Sequence, residues 1–254
     1  MAYYHCLLFD VDGTLLDFGA AENGALRETL AHFALPESEE AVQAYHTINN
    51  GLWAALERGE VRQEKLVVQR FARLLEHLGA QGDPAAINDY YLSQLAQRSD
   101  TYPLIHETLE ELAEVATLAV VSNGVERVQV NRLAQSQLDK YFDGFFVSER
   151  VGASKPSRKI FEAALRDLGV ENRDKVLMIG DSLKADISGA AAAGLHTCWC
   201  NFTGQPEPEK EQPTYTIHTI DELLRIVMEP EEFENVGNPE KRHKVWIIQR
   251  QRYR

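Results

Sequence analysis

Acidic and small polar residues follow three short apolar runs of the chain, and their types suit the handling of a phosphate group. The three sets are Asp10-Val11-Asp12-Gly13-Thr14, Ser122-Asn123-Gly124, and Gly180-Asp181-Ser182 with Asp186. Lys155 stands apart from them, directly before Pro156. Ligands of an open parallel sheet bind beyond the carboxyl ends of its strands. We therefore expect these side chains to meet in one site.

Three carboxylates in one site need a positive charge among them. Asp10, Asp12 and Asp181 would repel one another by about 4 kcal/mol per pair at about 4 Å and an effective dielectric constant of about 20. Oxygen ligands beside a phosphate are typical of Mg²⁺, which binds one or two carboxylates and a phosphate oxygen. A lysine, a hydroxyl and the amides of a strand-to-helix turn can bind the phosphate itself. The predicted phosphate ligands are Ser122, Asn123, Gly124 and Lys155.

Hydrolysis of a phosphate monoester needs several catalytic groups, because it requires an acceleration of up to about 10²¹-fold. One general acid or base typically contributes about 10²–10⁴-fold. A carboxylate nucleophile replaces one difficult displacement with two, through an aspartyl-phosphate. Asp10 stands at the tip of the first apolar run and is the predicted nucleophile. Asp12, two residues later, is the predicted general acid and base.

The apolar runs that must position these residues lack a clean alternation, which is typical of parallel strands buried on both faces. Helix-like stretches between the runs provide the crossovers that parallel strands need. The predicted fold class is α/β, a doubly wound, Rossmann-like parallel sheet. The predicted strands are Cys6–Phe9, 118–121, 145–147, 176–179, 197–200 and Tyr215–Ile217.

Residues 17–99, between the first two strands, contain no convincing strand and form the segment that we call the helical insertion. Amphipathic helices are predicted over 21–33, Glu39–Glu57, 60–78 and 85–98, separated by Pro36, Gly59 and the breakers between 79 and 84. The predicted domains are an α/β core over 1–16 and 100–228, the insertion as a helical cap, and a poorly ordered tail over 229–254. The insertion either closes over the strand ends as a lid or only adds stability.

The DxDGT, SNG, KP and GDSxxxD elements, in this order, resemble the four motifs of the haloacid dehalogenase superfamily. The resemblance covers roughly residues 5 to 228. It implies Mg²⁺ bound by Asp10, Asp181 and the backbone carbonyl of Asp12. Asp186 would lie behind them and orient the metal ligands or Lys155. The insertion resembles the type of cap that follows the first motif in this superfamily.

Superfamily members that cleave carbon–halogen bonds lack the second acid of the first motif, so Asp12 favours a phosphatase. The wider context resembles the YjjG-like pyrimidine 5′-nucleotidase branch, which implies hydrolysis of nucleoside 5′-monophosphates through an aspartyl-phosphate. We also consider a sugar-phosphate phosphatase and a phosphoglucomutase-like phosphotransferase. The residues that carry the wider resemblance are Leu16-Asp17-Phe18 with Glu22, Leu52-Trp53, Gln129 with Arg132-Leu133, and Thr197-Cys198-Trp199.

A nucleobase needs contacts outside the phosphate site, and four residues are candidates for them. An aromatic face can stack on a pyrimidine, and an amide can recognise its edge. Trp53 fits packing within the insertion as well as a ligand contact, and both interpretations stay open. The specificity candidates are Phe18, Asn49, Asn50 and Trp53.

Composition limits the class of partner. The 254 residues carry 26 Lys and Arg against 39 Asp and Glu, a net charge of −13, which disfavours nucleic acid and anionic lipid as main partners. The chain has no apolar stretch of membrane-spanning length, and its three cysteines are too few for a disulfide framework. We expect a cytoplasmic monomer or homodimer that acts on a small phosphate ester. An RNA-binding module with a vestigial site, using the basic residues 241–254, is the alternative that the intact acids argue against.

Overall fold

The computed structural model describes residues 2–210 and 212–228, so the predicted tail over 229–254 lies outside the described residues. A six-stranded parallel sheet forms the centre, in the order β3-β2-β1-β4-β5-β6. The predicted α/β class, with a doubly wound parallel sheet, is confirmed. The strands are β1 (Cys6–Phe9), β2 (Thr117–Ser122), β3 (Gly144–Val147), β4 (Val176–Gly180), β5 (His196–Cys200) and β6 (Tyr215–Ile217).

Helices cover both faces of the sheet because successive strand residues point to opposite sides. Leu7 belongs to an apolar cluster that includes residues of α5 and α10, and Leu8 belongs to one that includes residues of α8 and α9. All four residues of β1 are buried, which explains its continuous apolar sequence. The helices are α1 (Phe18–His32), α2 (Glu39–Glu57), α3 (Gln63–Leu78), α4 (Pro84–Leu95), α5 (Ile105–Ala113), α6 (Glu126–Gln135), α7 (Ser148–Val151), α8 (Arg158–Asp167), α9 (Gly189–Ala192) and α10 (Glu222–Met228).

The helical insertion contains α1 to α4 and has a buried apolar cluster of its own. Leu26, Leu30, Tyr45, Phe71 and Tyr91 lie within this cluster, and each is buried. The side chain of the residue before α1, α2 and α4 accepts a hydrogen bond from a backbone N–H of the first turn, which satisfies one of the open donors there. These N-caps are Asp17, Ser38 and Asp83.

The two ends of the insertion leave the core side by side. The backbone N–H of Asp17 donates to the carbonyl of Asp100 at 2.9 Å, and Leu16 forms an isolated antiparallel bridge with Thr101. We call these two stretches, residues 16–17 and 96–101, the linkers. They lie next to the carboxyl end of β1, so the insertion is attached where the predicted site begins.

Strand register brings the carboxyl ends of three neighbouring strands to one level. Phe9, the last residue of β1, pairs with Val120 of β2 and Ile179 of β4. The polar residues that follow these strands therefore meet at the same edge. Among the described residues, no helix is both long and apolar enough to cross a membrane. Cys6, Cys198 and Cys200 are buried free thiols.

Candidate active site

Asp10 and Lys155 form the buried centre of the site. Asp10 follows β1 directly, and its Oδ1 lies 2.5 Å from Lys155 Nζ. The same Nζ lies 2.7 Å from Asp186 Oδ1, and Lys155 is 2% exposed. Burial disfavours the charge of Lys155, but Asp10 and Asp186 outweigh it and raise the lysine pKa above its ordinary value. Lys155 is therefore an ammonium group held between Asp10 and Asp186 at neutral pH.

A second positive charge is needed here because one lysine does not balance the acids. Asp10, Asp181 and Asp186 each offer an oxygen, and these oxygens lie within 4.8 Å of one another. Burial raises the pKa of Asp10 to about 7 despite the opposing charge of Lys155, and the negative charges of Asp186 and Asp12 add to this rise. A hard divalent cation held by oxygen ligands would relieve this repulsion. The donor set therefore fits Mg²⁺, and it includes Asp186, which the resemblance implied to lie behind the metal ligands.

Glycines allow the acids to approach the backbone closely. Gly13 has a φ of +81°, in the left-handed region, and a Cβ on it would collide with the carboxylate of Asp181. A Cβ on Gly180, the last residue of β4, would collide with the carboxylate of Asp186. Any larger residue at these two positions would displace a carboxylate of the cluster.

The loop after β2 holds Lys155 in place as well as offering groups to a phosphate. Asn123 Nδ2 donates to the carbonyl of Lys155 at 2.9 Å, and the N–H of Lys155 donates back to Asn123 Oδ1 at 2.8 Å. The Oγ of Ser122, which is 1% exposed, accepts from the N–H of Gly124 at 3.0 Å. All four predicted phosphate ligands line one cavity with Asp10, Asp12, Asp181 and Asp186.

Asp12 is held by two side chains of α6. Arg132 Nη1 donates to Asp12 Oδ1, and Gln129 Nε2 donates to Asp12 Oδ2 at 2.6 Å. Arg132 is 0% exposed and Gln129 is 1% exposed, whereas the Asp12 side chain is 27% exposed. Asp12 thus reaches the cavity with both carboxylate oxygens already bound to donors from one helix.

The cavity has a volume of about 250 Å³ and lies between the core and the helical insertion. Of the four specificity candidates, Phe18 and Trp53 line it. Asn49 and Asn50 do not line it. The Asn49 side chain is buried and donates to Glu22 Oε1 at 2.8 Å, and Asn50 is exposed on α2.

Sequence reasoning missed several residues at the site. Arg132 and Gln129 enter the sequence analysis only through the resemblance. They lie three residues apart on one face of α6, and polar side chains that are buried there need hydrogen-bond partners. Glu57, at the end of α2, accepts a hydrogen bond from Ser182 at 3.3 Å, and Arg70 of α3 lines the same cavity. Nothing in the sequence shows that α2 and α3 turn these side chains towards the strand ends. The other insertion residues on the cavity wall are Val67, Leu92 and Leu95.

The chain is similar in sequence to known hydrolases. A family model described as haloacid dehalogenase-like hydrolase matches residues 4–194. Pyrimidine 5′-nucleotidase PynA of Streptococcus pneumoniae is 37% identical over 87% of this chain and 94% of its own length. Pyrimidine 5′-nucleotidase YjjG of Escherichia coli is 31% identical over 87% of this chain and 96% of its own length.

A solved structure agrees with the fold. The crystal structure of the HAD-hydrolase YfnB of Bacillus subtilis superposes with a TM-score of 0.83 at 37% identity, covering 88% of this chain and 98% of YfnB. That crystal form is bound to magnesium and is described as revealing interdomain movement.

Proposed function

The chain belongs to the haloacid dehalogenase-like hydrolase family, and we propose that it hydrolyses pyrimidine nucleoside 5′-monophosphates. One observation carries the proposal. A single cavity has Asp10, Lys155 and the acidic cluster on its core side and the aromatic rings of Phe18 and Trp53 on its insertion side. A phosphate with a flat apolar group attached matches this division between charged and aromatic walls.

We propose that Asp10, Asp181 and the backbone carbonyl of Asp12 hold Mg²⁺, with Asp186 beside them. Two observations support this metal site. The carboxylate oxygens of Asp10, Asp181 and Asp186 lie within 4.8 Å of one another, and the crystal structure of the related YfnB is bound to magnesium. When bound, the ion neutralises negative charge on the phosphoryl group. Lys155, an ammonium that already contacts Asp10, adds a fixed positive charge at the same place.

The proposed reaction has two displacements. An Asp10 oxygen attacks phosphorus while the bond between phosphorus and the leaving oxygen breaks, and that oxygen takes a proton from Asp12. Asp12, now a carboxylate, then removes a proton from water as the water oxygen attacks phosphorus and releases Asp10. Ser122 and the backbone of Asn123 and Gly124 bind the phosphate oxygens throughout.

The substrate class rests on the insertion. We propose that residues 17–99 act as a cap and that Phe18 and Trp53, which line the cavity, contact the base. PynA and YjjG are named as pyrimidine 5′-nucleotidases, which supports pyrimidine nucleotides as substrates. The interdomain movement described for YfnB supports a cap that opens to exchange substrate and product. The proposed partner is thus a nucleoside monophosphate, bound by a cytoplasmic monomer or homodimer.

Phosphate release tests the proposal. We expect Mg²⁺-dependent release from UMP and dUMP, with slower release from purine nucleotides, ribose 5-phosphate and hexose phosphates. Loss of activity with a chelator and its return with Mg²⁺ would support the proposed metal site. Activity confined to sugar phosphates would contradict the nucleotidase assignment. Conversion of one hexose phosphate isomer into another without free phosphate would instead indicate a phosphotransferase.

A further inference from the structure

Arg132 contacts three parts of the molecule that meet at the site. Besides donating to Asp12 Oδ1, it uses its Nε to donate to the carbonyl of Arg98 at 2.8 Å, within the returning linker. Its guanidinium carbon lies 5.8 Å from the ring centroid of Phe18, the first residue of α1 and a wall of the cavity. One buried side chain therefore joins the acid to both ends of the insertion.

The neighbouring residues of α6 strengthen this connection. Gln129 Nε2, which donates to Asp12 Oδ2 at 2.6 Å, also lies 3.3 Å from Ser122 Oγ. Gln135 Nε2 donates to the carbonyl of Ala96 at 3.1 Å, so α6 binds the returning linker at two points. The orientation of Asp12 and the placement of this linker are thus set by the same helix.

We propose that Arg132 is a positioning residue, which aims the Asp12 carboxyl group at the leaving oxygen when the linkers of the insertion are in the arrangement seen here. This inference rests on the proposed function, since it concerns the proton that the leaving oxygen receives. As that proton moves from Asp12 and the bond to phosphorus breaks, negative charge develops on Asp12 beside the guanidinium. The two donors of α6 leave the carboxylate little freedom to turn away from the cavity.

The geometry distinguishes this role from two simpler ones. Arg132 is not among the residues that line the cavity, so it is not placed to bind the phosphate directly. A role confined to holding the linker would account for the hydrogen bond from Nε to the carbonyl of Arg98 but not for the one from Nη1 to Asp12. Its Nη2 has no hydrogen-bond partner in the part of the chain that the structure describes. The hydrogen bond to Asp12 is therefore the main compensation for burying this guanidinium, and it becomes an ion pair once Asp12 has given up its proton.

The test compares two leaving groups. An alkoxide such as the 5′-oxygen of UMP needs a proton as it leaves, whereas 4-nitrophenolate leaves without one. We expect Arg132→Met to lower kcat/KM for UMP by about 100-fold or more, and kcat/KM for 4-nitrophenyl phosphate by less than about 5-fold. Arg132→Lys, which keeps the charge but not the planar group, should give a smaller loss with the same bias. Asp12→Asn should share this bias, and Arg132→Met added to Asp12→Asn should cause little further loss on UMP.

Arg127→Met is the matched control. Arg127 is on the same helix and pairs with Asp89 of α4 at 3.1 Å, but this pair is exposed and does not touch Asp12. We expect less than about a 2-fold change on both substrates. Thermal unfolding identifies variants that fail to fold. If Arg132→Met does not fold, the two substrates are compared with Arg132→Lys instead.

Equal losses on the two substrates for a folded Arg132 variant would overturn the positioning role, as would an unchanged kcat/KM for UMP. A wild-type enzyme that cleaves other alkyl phosphates but not UMP would contradict the proposed substrate, and the same comparison would then use the alkyl phosphate that it does cleave.

Discussion

At the scale of single residues, the site combines a nucleophile and a metal ligand in the same cluster, and substitution separates the two roles. Asp10→Asn keeps the shape of the side chain but removes the attacking oxygen charge, so we expect turnover to fall by at least about 10⁴-fold at any Mg²⁺ concentration. Asp181→Asn weakens a proposed ligand only, and we expect its turnover to recover partly as Mg²⁺ is raised. Steady-state rates measured over a Mg²⁺ titration give the turnover of both variants. Recovery of Asp10→Asn at high Mg²⁺ would contradict its role as nucleophile.

Trp53 permits a test of base recognition at the same scale. Stacking of a base on an aromatic ring contributes about 1–3 kcal/mol. We therefore expect Trp53→Leu to lower kcat/KM for UMP by about 10-fold or more, while kcat/KM for ribose 5-phosphate stays nearly the same. Phe33→Leu is the control, because Phe33 is a partly buried aromatic residue of the same insertion that does not line the cavity. Equal losses on both substrates would show that Trp53 only packs.

At the scale of elements, α1 and α2 meet around a buried acid. Glu22 is 7% exposed, and burial raises its pKa from 4.5 to about 7, with the charge of Asp12 adding to the rise while Arg70 and the Asn49 hydrogen bond oppose it. His46 Nδ1 lies 3.2 Å from Glu22 Oε2, and burial lowers the pKa of His46, so the ring is neutral at pH 7. A protonated Glu22 can donate to this ring nitrogen, which makes the contact a hydrogen bond.

The raised pKa of Glu22 predicts a pH-dependent stability. The unfolded glutamate ionises near pH 4.5 and the folded one near pH 7, so its protonated form favours the folded state at low pH. Relative to Glu22→Gln, the wild-type protein should lose up to about 3 kcal/mol of unfolding free energy as pH rises from about 4.5 through about 7, and the loss should be complete by about pH 8. Denaturant unfolding at several pH values measures this difference. The exposed Glu76→Gln is the control, and a difference between wild type and Glu22→Gln that is constant with pH would refute the prediction.

Local sequence predicted which stretches of the insertion form helices, and the residues that cap them decide where each helix begins. The predicted bounds of α2, Glu39–Glu57, match the structure, because Ser38 caps its first turn. Helix α1 begins at Phe18, earlier than predicted, because Asp17 caps it. Helix α3 begins at Gln63, later than predicted, because Gly59 and Glu60 bond back to α2 and complete its end.

Other features depend on contacts that local sequence does not contain. Residues 183–188 form a π-helical turn before α9, with Asp186 in it, and no periodicity predicts the extra residue per turn. The polar residues after β1, β2 and β4 were expected to meet because parallel strand ends share an edge. Which insertion side chains reach the cavity depends instead on how α1 to α4 pack, and half of the specificity candidates lie away from it.

At the scale of the whole molecule, one glutamine connects the insertion with the core. Gln63, the first residue of α3, donates to the carbonyl of Asn123 at 2.8 Å and accepts from the Ser148 hydroxyl at 2.7 Å. Gln63→Leu removes both hydrogen bonds and leaves two polar groups without these partners. We expect KM for UMP to rise by about 10-fold with a smaller change in kcat, because the arrangement seen here, with α3 bound to the core, becomes less favourable. Gln43→Leu, at an exposed position of α2, is the control for the kinetic measurement. An unchanged KM would exclude this contact as a determinant of closure.

The adjacent linkers also have an evolutionary consequence. The chain leaves the core at Asp17 and returns to it at Asp100, and a backbone hydrogen bond joins these two residues. The residues between them are therefore attached to the core at one place. Insertions, deletions or a complete exchange there leave the pairing of β1 with β2 and β4 untouched. The strand order and the polar residues after the strands can therefore stay constant while recombination supplies new recognition modules. A chimaera joined at these two residues that keeps Phe18 and the contact of Arg132 with the carbonyl of residue 98 is the natural way to transfer substrate preference between relatives.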